Sequence, residues 1–154
     1  NMSAGLLPTT VKEFGEEQFW DRFFTKRGAE TFEWYGEWPH VEHLLRAACL
    51  PSHRILVVGC GNSELGSCMY DAGFKNMVSI DFSEVVIREM QRKNAGRAEM
   101  QFLRMDMLNM TFPDASFDVV LDKACLDALM TDSSPEITEK ARAMMAEVER
   151  VLVP

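Results

Sequence analysis

An apolar run that ends in two closely spaced glycines constrains the fold more than any other part of this sequence. Residues 55–66 read ILVVGCGNSELG, so a short apolar segment leads through Gly59, Cys60 and Gly61 into a stretch with helical character. A fully apolar run of this length is typical of a strand that is buried on both faces. Glycines directly after such a strand indicate either a tight turn or a ligand in close contact with the backbone.

Strand and helix patterns alternate along the rest of the chain. The sequence predicts strands at 55–58, 77–80, 101–105 and 117–121. Helices are predicted at 63–72, from about 84 with Ser83 as its cap, and after Ser133 or Ser134, with Pro135 in the first turn. This alternation predicts an α/β fold with a mostly parallel sheet that helices cover on both faces.

Length and charge limit the kinds of function that this chain can have. Its 154 residues are enough for one domain with a core, and its net charge of -8 disfavours nucleic acid as the main ligand. The acidic charge favours a basic partner, although solubility explains it equally well. No apolar run is long enough to span a membrane. The scattered Cys49, Cys60, Cys68 and Cys125 indicate reduced thiols and an intracellular, cytoplasmic protein.

The glycine loop departs from the pattern that binds dinucleotides. In G-x-G-x-x-G the third glycine would stand at position 64, where this sequence has Glu64. A carboxylate at the mouth of the loop would repel a pyrophosphate, but it would tolerate a sulfonium and an ammonium group, as in S-adenosylmethionine. A turn that needs glycine for the chain's own packing remains an open alternative.

Carboxylates follow the next two predicted strands. Asp81 comes about 20 residues after the glycines, the position from which a carboxylate reaches ribose hydroxyls in doubly wound sheets. Asp106 follows the third strand, where it can accept a hydrogen bond from an adenine amino group. Asp81 could equally be an acid at a helix N-terminus that Ser83 caps. Together, the three strand ends predict a site for an adenosyl ligand.

Several segments of the sequence resemble one known family. The stretches FWDRFF, FEWYG, ILVVGCGNSELG, SIDFSEVVI, FPDASFDVVLDK and LDAL are similar to the seven-strand methyltransferases that modify elongation factor 1-alpha on a lysine or its N-terminal amine. The match runs from about Glu13 to Val153. It implies a Rossmann-like class I methyltransferase fold, with S-adenosylmethionine as cofactor and elongation factor 1-alpha as the basic protein substrate.

The resemblance also implies limits for the domain. It assigns 1–12 to an N-terminal tail and 13–154 to a methyltransferase domain with an N-terminal aromatic lid. Family members continue past ERVLVP with further strands, so the resemblance implies a C-terminally truncated sheet of strand order 3-2-1-4 that carries the cofactor half.

Positions that match the family imply a set of cofactor contacts. Aromatic residues before the first strand would close over the methionine and ribose side, or they could simply pack an N-terminal helix on the sheet. Ala124 and Cys125 stand where relatives have Gly and Thr, and Phe24 stands where a single-domain relative has Tyr. The implied cofactor contacts are Trp20, Phe24, Trp34, Gly59, Gly61, Asp81, Phe82, Asp106, Met107 and Lys123.

Methyl transfer to an amine needs alignment of the reacting atoms and loss of a proton from the amine. A lysine amine has a pKa of about 10.4 in water, so desolvation or a nearby carboxylate must help. Asp122 and Asp127 are the candidates by position, and either could instead cap the following helix. His40 and His43 have no third ligand at a suitable spacing, so no metal site is predicted. A non-catalytic interaction module and a nicotinamide-dependent oxidoreductase remain as alternatives.

Overall fold

The computed structural model describes residues 8–154, and residues 1–7 of the predicted tail lie outside the described part. Residues Val11–Gly15 form a short 3-10 helix, so the predicted tail boundary at 12 falls inside an ordered element. The elements that follow are α1 Glu17–Arg27, α2 Trp38–Ala48, β1 Ile55–Val58, α3 Leu65–Asp71, β2 Met77–Asp81, α4 Glu84–Lys93, β3 Gln101–Arg104, β4 Val119–Asp122, α5 Cys125–Leu129 and α6 Pro135–Val151.

The strands form one parallel sheet in the order β3-β2-β1-β4. The predicted α/β class and strand order are therefore confirmed. All four residues of β1 are buried, as expected for a strand with neighbours on both sides and apolar clusters on both faces. Because the chain moves from β1 towards β3 and then returns to β4 on the other side, the crevice at the carboxyl ends of β1 and its neighbours is the usual ligand site of such a sheet.

The fourth strand begins two residues later than predicted. Phe117, predicted as its first residue, forms an isolated parallel bridge with Leu152 just after α6. Asp118 is held by Arg54, whose backbone N–H and guanidinium donate to its carboxylate at 2.8 and 3.1 Å. These contacts with the segments before β1 and after α6 delay the start of the regular ladder between β4 and β1.

Serine side chains start two helices as predicted. The Ser83 hydroxyl accepts the Val86 N–H at 3.4 Å at the start of α4, and the Ser134 hydroxyl accepts the Ile137 N–H at 3.3 Å at the start of α6. Each bond satisfies a backbone donor that the first turn of a helix leaves unpaired. Ser83 thus fixes the start of α4 directly behind the end of β2.

The aromatic helix α1 is packed against the sheet-bearing part of the chain. Its residues Phe19, Trp20, Phe23 and Phe24 are buried in one of the two apolar clusters. Two polar contacts add to this packing: Ser83 donates its hydroxyl to Asp21 at 2.5 Å, and Arg104 pairs with Glu17 at 2.8 Å. The predicted packing role of these aromatics is therefore confirmed.

Within residues 8–154, no helix has both the length and the apolar character needed to cross a membrane.

Candidate functional site

A cavity of about 320 Å³ lies at the carboxyl ends of the strands. This volume is within the usual range for small-molecule sites. Every residue that the family resemblance assigns to the cofactor lines this cavity: Trp20, Phe24, Trp34, Gly59, Gly61, Asp81, Phe82, Asp106, Met107 and Lys123. The strand ends and the aromatic N-terminal segment are thus brought together, although they are up to about a hundred residues apart in sequence.

The backbone conformation favours glycine at both positions of the loop, and packing excludes a side chain at Gly59. Gly59 and Gly61 have φ values of 56° and 50°, a backbone region that residues with a Cβ rarely adopt. A Cβ at position 59 would lie 2.1 Å from the Sγ of Cys125, and one at position 61 would lie 3.4 Å from the ring of Phe24. The alternative that the chain's own packing explains the glycines is therefore right in part, because Cys125 fills the space beside Gly59.

The carboxylate of Asp81 connects β2 to the glycine loop. Its two oxygens accept the backbone N–H groups of Gly61 at 2.9 Å and Ser83 at 3.0 Å. A carboxylate has about four lone pairs to offer, so it can still accept hydroxyl groups on its cavity side. Burial raises the pKa of Asp81 to about 6, against the lowering effect of the two hydrogen bonds. The helix-cap role considered as an alternative belongs to Ser83, as the sequence suggested.

Backbone donors of the glycine loop are largely engaged within the protein. Besides the bond from Gly61 to Asp81, the N–H of Cys60 donates to the Ile80 carbonyl at 3.0 Å and the N–H of Glu64 donates to the Glu33 carboxylate at 2.6 Å. Dinucleotide-binding loops need such N–H groups for the pyrophosphate. This loop instead has carboxylates on two of them, which disfavours a phosphate ligand.

The expected position of Glu64 at the mouth of the loop is wrong. Its side chain pairs with Lys93 of α4 at 2.6 Å and lies outside the cavity lining. The carboxylate that lies against the loop belongs to Glu33, which stands within the aromatic stretch FEWYG. A single acid among so many aromatic residues is the signal that could have identified it.

Asn62 joins the glycine loop to the N-terminal segment. Its buried side chain accepts the Phe32 N–H at 3.0 Å and donates to the Glu30 carbonyl at 2.9 Å. The amide therefore pairs with the chain at 30–32 much as a neighbouring strand would. No local pattern in the sequence marks Asn62, because its partners lie about thirty residues earlier in the chain.

Lys123 lies at the end of β4 and faces the same N-terminal segment. Its ammonium group donates to the Glu33 carboxylate at 2.5 Å and to the Trp34 carbonyl at 2.9 Å. Both side chains of the ion pair are only 15% exposed. Since a partly buried ion pair is weakly screened by solvent, this contact holds the wall of the cavity more firmly than a surface pair could.

The end of β3 contributes an exposed carboxylate and a sulfur contact. One oxygen of Asp106 accepts the Leu108 N–H at 2.9 Å, which leaves the other oxygen available to a ligand. The thioether of Met107 lies 3.1 Å from the thiol of Cys125. Phe82, at the end of β2, is partly buried and completes this side of the cavity.

The two candidate bases lie outside the cavity lining. Asp122 accepts the N–H groups of Cys125 and Leu126 at 2.8 and 3.0 Å, so it caps α5, the alternative that the sequence left open. Desolvation nevertheless raises the pKa of its carboxyl group. Asp127 is exposed in the first turn of α5, and its charge raises the pKa of the Tyr35 phenol.

Charges around the cavity leave a negative balance. The lining includes two lysines, and each is paired with a glutamate: Lys123 with Glu33 and Lys140 with Glu136. Asp81 and Asp106 accept hydrogen bonds from backbone N–H groups, which carry no full charge. These features define a doubly wound α/β protein whose ligand cavity suits a cationic, nucleoside-like molecule.

Comparisons with known proteins agree with this class. Residues 55–154 match the family described as "Methyltransferase domain". The chain therefore belongs to the methyltransferase-domain family. The eEF1A lysine and N-terminal methyltransferases of Bos taurus and Homo sapiens are 50% and 49% identical over 148 residues. They match 96% of this chain, which spans only 21% of their length.

A shorter relative covers nearly the same part of the chain. EEF1A lysine methyltransferase 4 of Mus musculus is 36% identical over 155 residues, with 96% of this chain and 61% of the relative aligned. Among solved structures, the CcbJ methyltransferase from Streptomyces caelestis has a TM-score of 0.67 at 15% identity, with 85% of this chain and 52% of that chain covered. The PH0226 protein from Pyrococcus horikoshii gives 0.63 at 24% identity, with coverages of 88% and 60%. At these identities the solved structures establish the fold alone.

Proposed function

We propose that this chain is the cofactor-binding part of an S-adenosylmethionine-dependent protein methyltransferase that acts on a lysine or the N-terminal amine of elongation factor 1-alpha. The observation that carries the proposal is the convergence of Gly59, Asp81, Asp106 and Lys123, the ends of successive sheet strands, on one cavity. The names of the relatives supply the acceptor protein.

The residues present fit this cofactor on chemical grounds. Asp81 is a buried carboxylate with acceptor capacity left for ribose hydroxyls, and Asp106 has a free oxygen for an amino group. The negative balance around the cavity suits a sulfonium and an ammonium group. The glycine loop, which has carboxylates on the N–H groups of Gly61 and Glu64, is poorly suited to a pyrophosphate. The nicotinamide-dependent alternative is therefore disfavoured.

When bound, the cofactor supplies an electrophilic methyl group on its sulfonium. The chain's own contribution is to hold the donor in a fixed orientation, because direct displacement depends mainly on alignment. Asp81 and Asp106 fix the nucleoside side, while Trp20, Phe24 and Trp34 cover the cavity and exclude water. We propose the ten lining residues named above as the cofactor contacts. We assign no general base, because Asp122 serves as a helix cap and Asp127 is directed towards Tyr35.

The proposed partner and location follow from charge and from the relatives. A protein with a net charge of -8 attracts a basic protein over long range. The relatives that match almost the whole chain are named for modification of eEF1A, which supports a cytoplasmic location. We propose that neither nucleic acid nor a membrane is a partner.

Two measurements test the proposal. Calorimetry with S-adenosylhomocysteine and with NAD should give saturable binding of the first only. Transfer of a labelled methyl group to elongation factor 1-alpha should then be detectable with this chain. Saturable binding of S-adenosylhomocysteine without methyl transfer would favour the second candidate, a non-catalytic interaction module. Binding of NAD alone would contradict both candidates.

A further inference from the structure

Glu33 joins three separate parts of the cavity wall although its own side chain is not part of the lining. One oxygen accepts the backbone N–H of Glu64 at 2.6 Å, and the other accepts the Ser63 hydroxyl at 2.8 Å and the Lys123 ammonium at 2.5 Å. Glu33 belongs to the N-terminal segment, Ser63 and Glu64 to the glycine loop, and Lys123 to the end of β4. Among these, Ser63 and Lys123 do line the cavity.

The cavity has two chemically different ends. Asp81, Phe82 and Asp106 lie over β2 and β3, whereas Lys123 lies over β4. Strands of a sheet are about 4.8 Å apart, so roughly 10 Å separates the end of β2 from the end of β4 across β1. A cofactor whose nucleoside is held by Asp81 would therefore extend its amino-acid end over the glycine loop towards Ser63 and Lys123. That end carries an ammonium and a carboxylate group, and it needs fixed polar partners.

We propose that Glu33 is a positioning residue: it fixes the Lys123 ammonium and the Ser63 hydroxyl so that this end of the cavity binds the charged amino-acid part of the cofactor. This inference rests on the proposed function and extends it to a residue that does not itself touch the ligand. Without the Glu33 carboxylate, the Lys123 ammonium keeps its bond to the Trp34 carbonyl but has no anionic partner among residues 8–154. A flexible lysine then loses its fixed direction, and ordering it on binding costs side-chain entropy.

Glu64 provides a control that distinguishes positioning of Lys123 from a general structural role of a carboxylate near the loop. Glu64 also links the N-terminal segment to the glycine-loop region, because its carboxylate accepts the Thr31 hydroxyl at 3.3 Å and pairs with Lys93 at 2.6 Å. Its side chain is outside the cavity lining and contacts no lining lysine. Glu64→Gln therefore removes a carboxylate that also tethers the N-terminal segment, although a more exposed one, and leaves Lys123 and Ser63 in place.

The experiment compares two ligands that differ only in the amino-acid part. S-adenosylhomocysteine carries it, and 5′-methylthioadenosine has the same adenosine and thioether without it. Calorimetric affinities for both are measured with the 154-residue chain and its Glu33→Gln and Glu64→Gln variants. We expect Glu33→Gln to weaken the binding of S-adenosylhomocysteine by about tenfold or more, because the charge-assisted hydrogen bonds of the Glu33 carboxylate are lost. Binding of methylthioadenosine should change less than about twofold, and Glu64→Gln should change neither affinity by more than about twofold.

The alternatives give different results. Equal loss of both ligands in Glu33→Gln, or no loss of either, overturns the inference while leaving the proposed function intact. Failure of the unaltered chain to bind S-adenosylhomocysteine overturns the proposed function, and the inference with it. If Glu33→Gln does not fold, Lys123→Gln is measured in the same way. It must show the same selective loss of the amino-acid-bearing ligand, and an equal loss of both ligands contradicts the proposal.

Discussion

The side-chain carboxylate of Asp81 accepts the backbone N–H of Gly61 at 2.9 Å, which joins the end of β2 to the loop after β1. The bond makes the loop and the carboxylate parts of one unit, although they are 20 residues apart. Asp81 is only 7% exposed, so changes in its charge act directly on this unit. Ligand affinity and stability should therefore depend on its protonation in opposite directions.

The affinity for S-adenosylhomocysteine should fall as the pH falls through the pKa of Asp81. Burial raises this pKa to about 6, so the ionised form that accepts ribose hydroxyls becomes the minority below that pH. At about pH 5 only roughly a tenth of the molecules are competent, and calorimetry should give about tenfold weaker binding than at neutral pH. Asp81→Ala should weaken binding at neutral pH by about 1–3 kcal/mol and abolish this pH dependence. Constant affinity of the unaltered chain across this range would rule out Asp81 as the ribose contact.

The same group should affect the stability of the ligand-free chain with the opposite sign. The folded-state pKa of Asp81 lies above its ordinary value of 3.8, so the folded state holds the proton more tightly than the unfolded state. Its contribution is present below about pH 4 and is lost as the pH rises through about 6. Urea unfolding at several pH values should show a flatter profile for Asp81→Ala over this interval. A profile identical to that of the unaltered chain would contradict the raised pKa.

Gly59→Ala should destabilise the fold strongly. The added Cβ would lie 2.1 Å from the Cys125 Sγ and 2.6 Å from its Cβ, and the positive φ adds a separate cost. Overpacking of about 1–3 kcal/mol and backbone strain of about 1–2 kcal/mol should both appear in chemical unfolding.

A double variant separates these two costs. Cys125→Gly removes the two atoms that would clash with the new Cβ and leaves the Cα at 3.7 Å, an ordinary contact, so Gly59→Ala should cost less in that background than in the unaltered chain. The backbone part should remain in both backgrounds. Equal costs would mean that Cys125 does not determine the need for glycine at position 59.

Ser83→Ala should cost more than Ser134→Ala. Each serine caps a helix, and loss of a cap costs about 1 kcal/mol. Ser83 also donates to the Asp21 carboxylate at 2.5 Å, which links α1 to α4, so its replacement removes a charge-assisted bond as well. We expect a difference of about 1–2 kcal/mol between the two variants in urea unfolding. Equal losses would show that the bond to Asp21 adds nothing to the docking of α1.

Arg54→Ala should raise the pKa of Asp118. The Arg54 guanidinium and backbone N–H hold this pKa at about 2, below the ordinary value of 3.8. The variant keeps the backbone donor, so the pKa should rise only part of the way, which a carboxyl NMR titration would measure. The stability that this carboxylate contributes is present above about pH 4 and lost as the pH falls through about 2. The acid limb of the unfolding profile should therefore move to higher pH in the variant.

Features with local signals were predicted well from the sequence. The apolar run before Gly59 and the caps at Ser83 and Ser134 depend on residues within a few positions of one another. Asp81 and Asp106 were placed correctly at the cavity because parallel strands bring their carboxyl ends to the same edge. The parallel pairing of the strands thus allows the position of a residue after a strand in the sequence to predict its position in the cavity.

Features that depend on distant contacts were not predicted. Glu33 pairs with Lys123, 90 residues later, and Asn62 pairs with a segment about thirty residues earlier. Glu64 is predicted at the mouth of the loop, but its side chain pairs with Lys93. The sequence does not reveal this pair, because it forms only when α4 packs against the loop region. The side-chain direction of such a residue is decided by the partner that folding brings within reach.

The aromatic segment that precedes β1 has a consequence for where this protein can be cut. The family match begins at residue 55, yet Trp20, Phe24 and Trp34 form one side of the cavity. A protein shortened to 55–154 would retain the residues of all four strands, but it would lose the aromatic residues that α1 buries against them, leave this side of the cavity open to water and remove the Glu33 and Trp34 partners of Lys123. The residues that form the sheet are therefore fewer than the residues needed to cover its apolar face and to enclose a ligand.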